Sequence, residues 1–185
     1  MKLRDLLKDL NYEILNEGPA GLDTDVADIV LDSRKAEPGV LFTCIKGAVA
    51  DGHKFAPDVA AKGAAVIVVE DEIELPAGTA PAVVKVPDSR YALACISAAW
   101  FGHPAEKLKT IGITGTKGKT TTTYMVKAIL ENTGHKVGLI GTIEADTGSR
   151  TIPAANTTPE SYLVQKYFAE MVENGCDCVV MEASS

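Results

Sequence analysis

A glycine-rich loop ending in Lys-Thr carries the clearest chemistry in this sequence. Residues 115–120 read Gly-Thr-Lys-Gly-Lys-Thr, after an apolar β-type run around Ile111 and before a helical pattern. Such a loop turns backbone N–H groups toward phosphate oxygens, because glycine has no Cβ to block the approach. Lys119 would supply charge for the β- and γ-phosphates, and the Thr120 hydroxyl could bind Mg²⁺. The general pattern has glycine where this chain has Ile113, so only the shorter form is present.

The sequence therefore predicts that ATP, or a close relative, binds at this loop. Lys119 is the expected catalytic residue, because phosphoryl transfer depends on positioning and on charge stabilisation. The expected nucleotide contacts are Gly115, Thr116, Lys117, Gly118, Lys119, Thr120 and Thr121.

Two later segments place polar side chains where ligands commonly bind. Glu182 ends an apolar strand-type run, and ligands of open α/β sheets bind at the carboxyl ends of strands. Glu182 is therefore expected to hold Mg²⁺ together with Thr120; the alternative is an ordinary glutamate facing solvent. Residues 156–160, Asn-Thr-Thr-Pro-Glu, predict a helix with Thr158 as N-cap and Pro159 in its first position. This helix start could bind an anion or only cap the helix, and both interpretations stay open.

Composition and charge exclude several classes of protein. The chain has 185 residues, 46% of them hydrophobic, and a net charge of −7, which disfavours a nucleic-acid groove. No apolar run reaches the roughly 18 residues that span a bilayer, and the first residues lack a signal-peptide core. We therefore expect a cytoplasmic protein without membrane contact, and a monomer. Four cysteines are expected to be buried and reduced rather than metal-bound: Cys44, Cys95, Cys176 and Cys178.

The spacing of apolar residues predicts an α/β chain with two units. The first, residues 1–103, would contain a short helix from Leu3, a helix over 55–62 ending at Gly63, and a helix capped by Asp88. Its predicted strands lie at residues 29–31, 40–45, 65–69 and 83–86. Residues 102–109 are predicted to be a linker.

The second unit, residues 104–185, has the pattern of a parallel α/β domain. The predicted order is strand 110–114, helix 119–132, strand 136–140, helix 159–174 and strand 177–182. The first strand, helix and second strand would form a right-handed crossover. Three parallel strands are too few for a sheet buried on both faces, so the expectation is a truncated domain.

Taken together, several segments resemble the Mur ligase family, the ATP-dependent amide-bond-forming enzymes of peptidoglycan precursor synthesis. Alone, the loops of the first unit would indicate only turns. The resemblance covers the whole chain and rests on Leu-Asp-Ser-Arg at 31–34, Pro-Gly-Val-Leu-Phe at 38–42, Lys-Gly at 46–47, Asp-Gly-His at 51–53, the loop at 115–120, Asn-Thr-Thr-Pro-Glu at 156–160 and Met-Glu-Ala-Ser-Ser at 181–185.

The resemblance is strongest to the members that add the third residue of the peptide. It implies a ligase that joins a diamino acid to UDP-N-acetylmuramoyl-L-alanyl-D-glutamate through an acyl phosphate. These residues leave both meso-diaminopimelate and L-lysine open, and meso-diaminopimelate is favoured only as the commoner activity of the family. ATP and Mg²⁺ would be its cofactors. The family's carbamylated lysine and amino-acid-recognising C-terminal domain have no counterpart in these residues, so the chain alone is not expected to ligate.

The resemblance also implies which residues bind the UDP substrate. The first unit would bind its uridine end through Leu31 and Ser33, and residues 48–50 would correspond to a substrate loop acting through its backbone. The muramoyl-dipeptide path would be lined by Asn156, Thr157, Thr158 and Ser184.

Two other functions remain as alternatives. One is a P-loop ATPase or nucleotide switch whose first unit binds a partner, although only Glu182 could position a water. The other is a non-catalytic module that binds a UDP-sugar. A ligase responds to the UDP-dipeptide, a switch distinguishes ATP from ADP, and a sugar-binding module ignores ATP.

Overall fold

A computed structural model describes residues 1–47 and 50–184 of the chain. Residue contacts divide it into two compact units, Met1–Trp100 and Phe101–Ser185. Within the described residues, no helix combines the length and apolar character needed to cross a membrane.

The first unit is a five-stranded sheet with helices. Its elements in chain order are α1 (Leu3–Leu6), β1 (Glu13–Asn16), β2 (Ile29–Val30), β3 (Leu41–Thr43), α2 (Ala56–Ala61), β4 (Val66–Val69), β5 (Ala82–Lys85) and α3 (Ser89–Trp100). The strand order is β1-β5-β4-β3-β2, with β1 antiparallel to β5 and the other pairs parallel. Every residue of β4 is buried, as expected for a parallel strand covered on both faces.

The sequence predicts the parallel strands and the helix ends of this unit correctly. Asp88 caps α3, since its Oδ1 accepts the backbone N–H groups of Arg90 and Tyr91, each at 2.9 Å. Gly63 follows α2 with a φ of +86°, a conformation that disfavours residues with a Cβ. Strand β1 was not predicted, because three of its four residues are exposed and its side chains lack an apolar alternation.

The second unit is also a five-stranded sheet. Its elements are β6 (Lys109–Ile113), α4 (Lys119–Asn132), β7 (Val137–Ile140), β8 (Glu144–Asp146), β9 (Thr151–Pro153), α5 (Ser161–Glu173) and β10 (Cys178–Glu182). The strand order is β6-β10-β7-β8-β9, and β10 is parallel to both β6 and β7. The crossover through α4 therefore spans an intervening strand. Strands β8 and β9 add an antiparallel hairpin beyond β7, so the expectation of three strands was wrong.

Two local predictions are wrong in this unit. Residues 102–109 are not a free linker: they contain a 3₁₀ turn, Pro104–Lys107, and the side chains of Pro104 and Leu108 are buried. Leu108 packs in one apolar cluster with Phe168 and Met171 of α5. Helix α5 begins at Ser161 rather than Pro159, and Thr158 does not cap it. The Thr158 hydroxyl donates instead to the carbonyl of Glu182 at the end of β10, and residues 158–160 lie outside the helix.

Candidate functional site

The glycine loop joins β6 to α4 in the second unit. Gly115 and Gly118 have φ values of +142° and +78°, and Gly118 occupies the N-cap position of α4. Side chains with a Cβ rarely adopt such values, so these glycines permit the tight turn. Lys119 donates from Nζ to the carbonyl of Gly115 at 2.8 Å, which folds the lysine back over the loop. The first-turn N–H groups of a helix have no intrahelical acceptor, and the loop that precedes α4, residues 115–118, is exposed.

Glu182, the last residue of β10, is the buried acid of this site. Its side chain is 1% exposed, which excludes the alternative of a glutamate facing solvent. Its Oε2 accepts hydrogen bonds from the hydroxyls of Thr120, at 3.0 Å, and Thr142, at 3.1 Å. Its Oε1 accepts the backbone N–H of Thr142 at 2.9 Å. The carboxylate thus lies at the start of α4, directly beside the glycine loop.

Sheet order explains why these groups meet. Strand β10 lies between β6, which leads into the glycine loop, and β7, which leads into residues 141–142. Parallel strands end at the same edge of a sheet, so all three ends converge there. Gly141 makes room for the carboxylate, because a Cβ on this residue would lie 2.6 Å from Oε1 of Glu182.

The segment before α5 is tied to the end of β10 through Thr158. The Thr158 hydroxyl donates to the carbonyl of Glu182 at 2.9 Å. It accepts from the backbone N–H of Ser184 at 2.9 Å and from the Ser184 hydroxyl at 3.0 Å. The Thr157 hydroxyl lies 3.1 Å from that of Thr142, and Asn156 is exposed in the same segment. The structure therefore brings Thr157, Thr158 and Ser184 to the edge where Glu182 ends.

Tyr124 of α4 lies near two carboxylates, those of Glu144 and Glu182. The Tyr124 hydroxyl donates to Oε1 of Glu144 at 2.9 Å. The pKa of Tyr124 is raised to about 12, first by burial and then by the hydrogen bond to Glu144 and the negative charges of Glu144 and Glu182. Carboxylate and hydroxyl oxygens are the ligands that Mg²⁺ prefers, so Thr120 and Glu182 fit this ion. When bound there, Mg²⁺ would neutralise phosphate charge at the glycine loop.

Thr142 and Gly141 were missed by sequence reasoning. The available signal was a Gly-Thr pair directly after the apolar run that forms β7. That signal was weak, because it gains meaning only when β10 is known to lie beside β7.

Leu31 and Ser33 lie in the first unit, at a groove of about 410 Å³ near the carboxyl ends of β2 and β3. Asp32 and Arg34 share this groove, and Asp32 accepts the Arg34 backbone N–H at 3.0 Å and its guanidinium at 2.7 Å. The pKa of Asp32 is lowered to about 2, first by the hydrogen bond from the Arg34 side chain and then by the one from its backbone. The other lining residues are Phe42, Thr43, Ile45, Ala50, Gly52 and Phe55.

The predicted substrate loop, residues 48–50, is described only at Ala50. Ala48 and Val49 lie outside the described residues, as does Ser185 of the Met-Glu-Ala-Ser-Ser segment.

His53 has a structural role in the first unit. Its Nδ1 lies 2.6 Å from Oδ1 of Asp51, and its Nε2 accepts the backbone N–H groups of Glu70, at 2.9 Å, and Asp71, at 3.3 Å. An Nε2 that accepts leaves Nδ1 to carry the proton toward Asp51. His53 therefore holds two loops together.

A second cluster of candidate metal ligands lies at the opposite ends of the strands. Ligand atoms of His135, Asp177 and Cys178 lie within 4.8 Å of one another. Burial raises the pKa of Cys178, which favours the neutral thiol over the thiolate that binds metals. Asp177 already accepts from Lys136 and lies 2.5 Å from Nδ1 of His135. The cluster is a set of hydrogen bonds around the start of β10.

Two family models match this chain. The one described as "Mur ligase family, catalytic domain" matches residues 25–101, and the one described as "Mur ligase middle domain" matches residues 113–185. The chain belongs to the Mur ligase family. The Mur ligase resemblance inferred from short segments is thereby confirmed.

Curated Mur ligases resemble this chain over its full length. A UDP-N-acetylmuramoyl-L-alanyl-D-glutamate--2,6-diaminopimelate ligase of Clostridium botulinum is 46% identical over 186 residues, covering 100% of this chain and 38% of that protein. The ligase of the same name from Geobacillus kaustophilus is 45% identical over 185 residues, covering 100% of this chain and 36% of that protein. The chain thus spans little more than a third of these relatives.

Solved structures of Mur ligases share the fold. A MurF from Acinetobacter baumannii has a TM-score of 0.59 and 26% identity, covering 100% of this chain and 36% of that one. A UDP-N-acetylmuramoyl-L-alanyl-D-glutamate--2,6-diaminopimelate ligase has a TM-score of 0.71 and 20% identity, with the same coverages, and this likeness concerns the fold alone. These matches confirm the predicted α/β class.

Proposed function

We propose that this chain supplies the UDP-substrate-binding and ATP-binding parts of a Mur ligase that adds meso-diaminopimelate to UDP-N-acetylmuramoyl-L-alanyl-D-glutamate. The observation that carries the proposal is the buried Glu182 carboxylate, hydrogen-bonded to Thr120 at the end of a phosphate-type loop. The names of relatives 42–46% identical over this chain support the choice of substrates. The chain matches only part of those relatives, so the complete reaction is a proposal for a protein that contains it.

In this proposal the second domain that the sequence predicts, residues 104–185, binds ATP. The loop N–H groups cradle the phosphates, and Lys119 leaves the Gly115 carbonyl to contact the β- and γ-phosphates. Thr120 and Glu182 hold Mg²⁺. The γ-phosphoryl group passes to the γ-carboxylate of the D-glutamyl residue, and the incoming amine then displaces phosphate.

The nucleotide contacts proposed at the loop also include Thr116, Lys117 and Thr121. These three residues are exposed in and directly after the loop, which supports their access to a nucleotide.

Contacts to the UDP-dipeptide are proposed in each unit separately. In the N-terminal domain that the sequence predicts, residues 1–103, Leu31 and Ser33 would contact the uridine end in their groove. In the second unit, Asn156, Thr157, Thr158 and Ser184 would line the path of the muramoyl dipeptide. Three of these four residues are hydrogen-bonded at the edge where Glu182 ends, which supports their common role.

The test is thermal unfolding of the chain with UDP-N-acetylmuramoyl-L-alanyl-D-glutamate, with ATP and Mg²⁺, and with both. A ligand that binds only the folded state at one hundred times its Kd stabilises by about 2.7 kcal/mol. For a chain of this size that corresponds to a Tm increase of roughly 5–10 °C. We expect each ligand to raise Tm, and UDP-glucose to serve as the control for uridine binding without the dipeptide.

The remaining outcomes would identify the other functions. A response to ATP alone would favour an ATPase or switch, and a response to the UDP compounds alone would favour a sugar-binding module. We also propose that the protein is cytoplasmic. We propose further that the chain is a monomer that binds neither nucleic acid nor membranes, which gel filtration with and without DNA or vesicles would test.

A further inference from the structure

The turn after β7 holds the Glu182 carboxylate from two directions. The backbone N–H of Thr142 bonds to Oε1 at 2.9 Å, while the hydroxyl of the same residue bonds to Oε2 at 3.1 Å. When one residue donates hydrogen bonds to both oxygens of a carboxylate, the orientation of the carboxylate plane is fixed. Rotation about the side-chain bonds next to the carboxyl group would break one of these hydrogen bonds. Gly141 permits this approach, since a Cβ there would lie 2.6 Å from Oε1.

The proton arrangement around Thr142 is determined by its partners. Its hydroxyl lies 3.1 Å from Oε2 of Glu182 and 3.1 Å from the Thr157 hydroxyl. A hydroxyl has one proton and an ionised carboxylate can only accept, so Thr142 donates to Glu182. Thr157 then donates to Thr142. Hydrogen bonds therefore run from Thr157 through Thr142 to Glu182.

The same partners limit how Glu182 can meet a cation. An ionised carboxylate offers about four lone-pair positions. The hydroxyls of Thr120 and Thr142 take two positions on Oε2, and the Thr142 N–H takes one on Oε1. Counting the hydrogen bonds from the described residues, one position on Oε1 is left. A carboxylate with a single open position binds a metal through one oxygen, provided that its orientation is held.

We propose that Thr142 is a positioning residue for the proposed Mg²⁺ site, acting by orienting the Glu182 carboxylate. This inference rests on the proposed function, because it concerns how the same nucleotide site holds its cation. Thr142 itself does not contact the nucleotide in this proposal; it acts through Glu182.

The test compares ADP affinity with and without Mg²⁺ by calorimetry, for the wild-type chain and for Thr142→Val, which keeps the shape and the N–H but removes the hydroxyl. We expect the ratio of the two affinities to fall by about tenfold in Thr142→Val, the effect of losing one hydrogen bond to a charged group. Thr142→Ser keeps the hydroxyl and should restore the ratio to within about twofold of wild type. Mg²⁺-free affinity should be unchanged in both variants.

A further variant separates positioning from general damage. Thr133→Val removes a hydroxyl bonded to the Leu130 carbonyl at the far end of α4 and should leave the ratio unchanged. If Thr142→Val does not fold, as judged by thermal unfolding, Thr142→Ala gives the same comparison without a bulky branch.

The outcomes distinguish the two proposals. A wild-type chain whose ADP affinity ignores Mg²⁺ would overturn the metal site and this inference with it. The positioning role alone would be overturned by any of three results: a Mg²⁺ response that survives in Thr142→Val, one that is lost equally in Thr133→Val, or one that Thr142→Ser does not restore.

Discussion

Thr120 and Glu182 are 62 positions apart in the chain, yet the hydroxyl of the first donates to Oε2 of the second at 3.0 Å. Thr120 lies in the first turn of α4, and Glu182 ends β10. The contact exists because β10 inserts between β6 and β7, which places its carboxyl end beside the loop that β6 enters. A buried carboxylate, a hydroxyl and a glycine loop are thereby assembled at one edge of the sheet.

Glu182→Gln should weaken Mg²⁺-dependent nucleotide binding while leaving the fold intact. The amide oxygen can still accept the Thr142 N–H. The amide NH₂ can donate to the threonine hydroxyl oxygens once these two hydrogen bonds reverse direction, so the polar contacts can remain while the charge is lost. We expect Mg²⁺-dependent ADP affinity to fall about tenfold or more, measured by calorimetry. Glu173→Gln, an exposed residue at the end of α5, is the matched control. An unchanged Mg²⁺ response in Glu182→Gln would argue against a metal ligand.

Lys119→Met should reduce nucleotide affinity with little effect on stability. In the free chain Lys119 makes one exposed hydrogen bond, to the Gly115 carbonyl, so its loss should change the free energy of unfolding by less than about 0.5 kcal/mol. A charged hydrogen bond to phosphate contributes about 1.5–3 kcal/mol, or roughly 10- to 150-fold in affinity. Titration with a fluorescent ATP analogue measures this. Lys166→Met, exposed on α5, should bind like wild type.

Gly141→Ala should destabilise the second unit. The new Cβ would lie 2.6 Å from Oε1 of Glu182. The Glu182 carboxylate must then shift, which disturbs the three hydrogen bonds that it accepts from Thr120 and Thr142. Overpacking of this kind costs about 1–3 kcal/mol, visible as a lower midpoint in urea unfolding.

Gly112→Ala is the control for that change. Gly112 lies in β6 with no heavy atom within 4 Å of a new Cβ, and its φ is not in the positive range. This substitution should leave the midpoint unchanged or raise it slightly, by about 0.4–1 kcal/mol of stability. Equal losses in the two variants would show that the Glu182 contact is not responsible.

Stability of the first unit should depend on pH through Asp32. Its pKa is lowered from 3.8 to about 2 by the hydrogen bonds from Arg34. A lowered pKa in the folded state means that the carboxylate stabilises the fold above about pH 4, and that this contribution is lost as pH falls toward 2. The Arg34 side chain is largely exposed, so solvent and salt should keep the effect small.

Asp32→Asn removes this titration. The difference in urea midpoint between wild type and Asp32→Asn should be larger at pH 6 than at pH 2. Asp58→Asn, an exposed position in α2, provides the comparison for a carboxylate outside the groove. A wild-type advantage that grows on acidification would contradict the assigned pKa direction.

Local sequence patterns predicted those parts of the fold that local physics decides. The bounds of α4 follow from a glycine start and a helical pattern, and Asp88 caps α3 as its position suggests. Strand β1 and the β8–β9 hairpin were missed because they are short and carry little apolar alternation. Their pairing partners, rather than their own residues, make them strands.

The Thr158 error has the same origin. A threonine before proline is a good N-cap by local rules, but this hydroxyl finds the Glu182 carbonyl and the Ser184 N–H at the end of β10. Those partners are more than 20 positions away, so no local pattern reports them. Tertiary hydrogen bonds therefore outweigh the capping preference here.

The sequence by itself determined that a phosphate-type loop joins a strand to a helix, because glycine and Lys-Thr act through backbone geometry and charge over six residues. It also carried the segments on which the family resemblance rests. Only the tertiary structure decided that β10 lies between β6 and β7, and hence that Glu182 is buried against Thr120 and Thr142 rather than facing water. Strand order is set by how distant apolar faces pack, a property that local sequence does not contain.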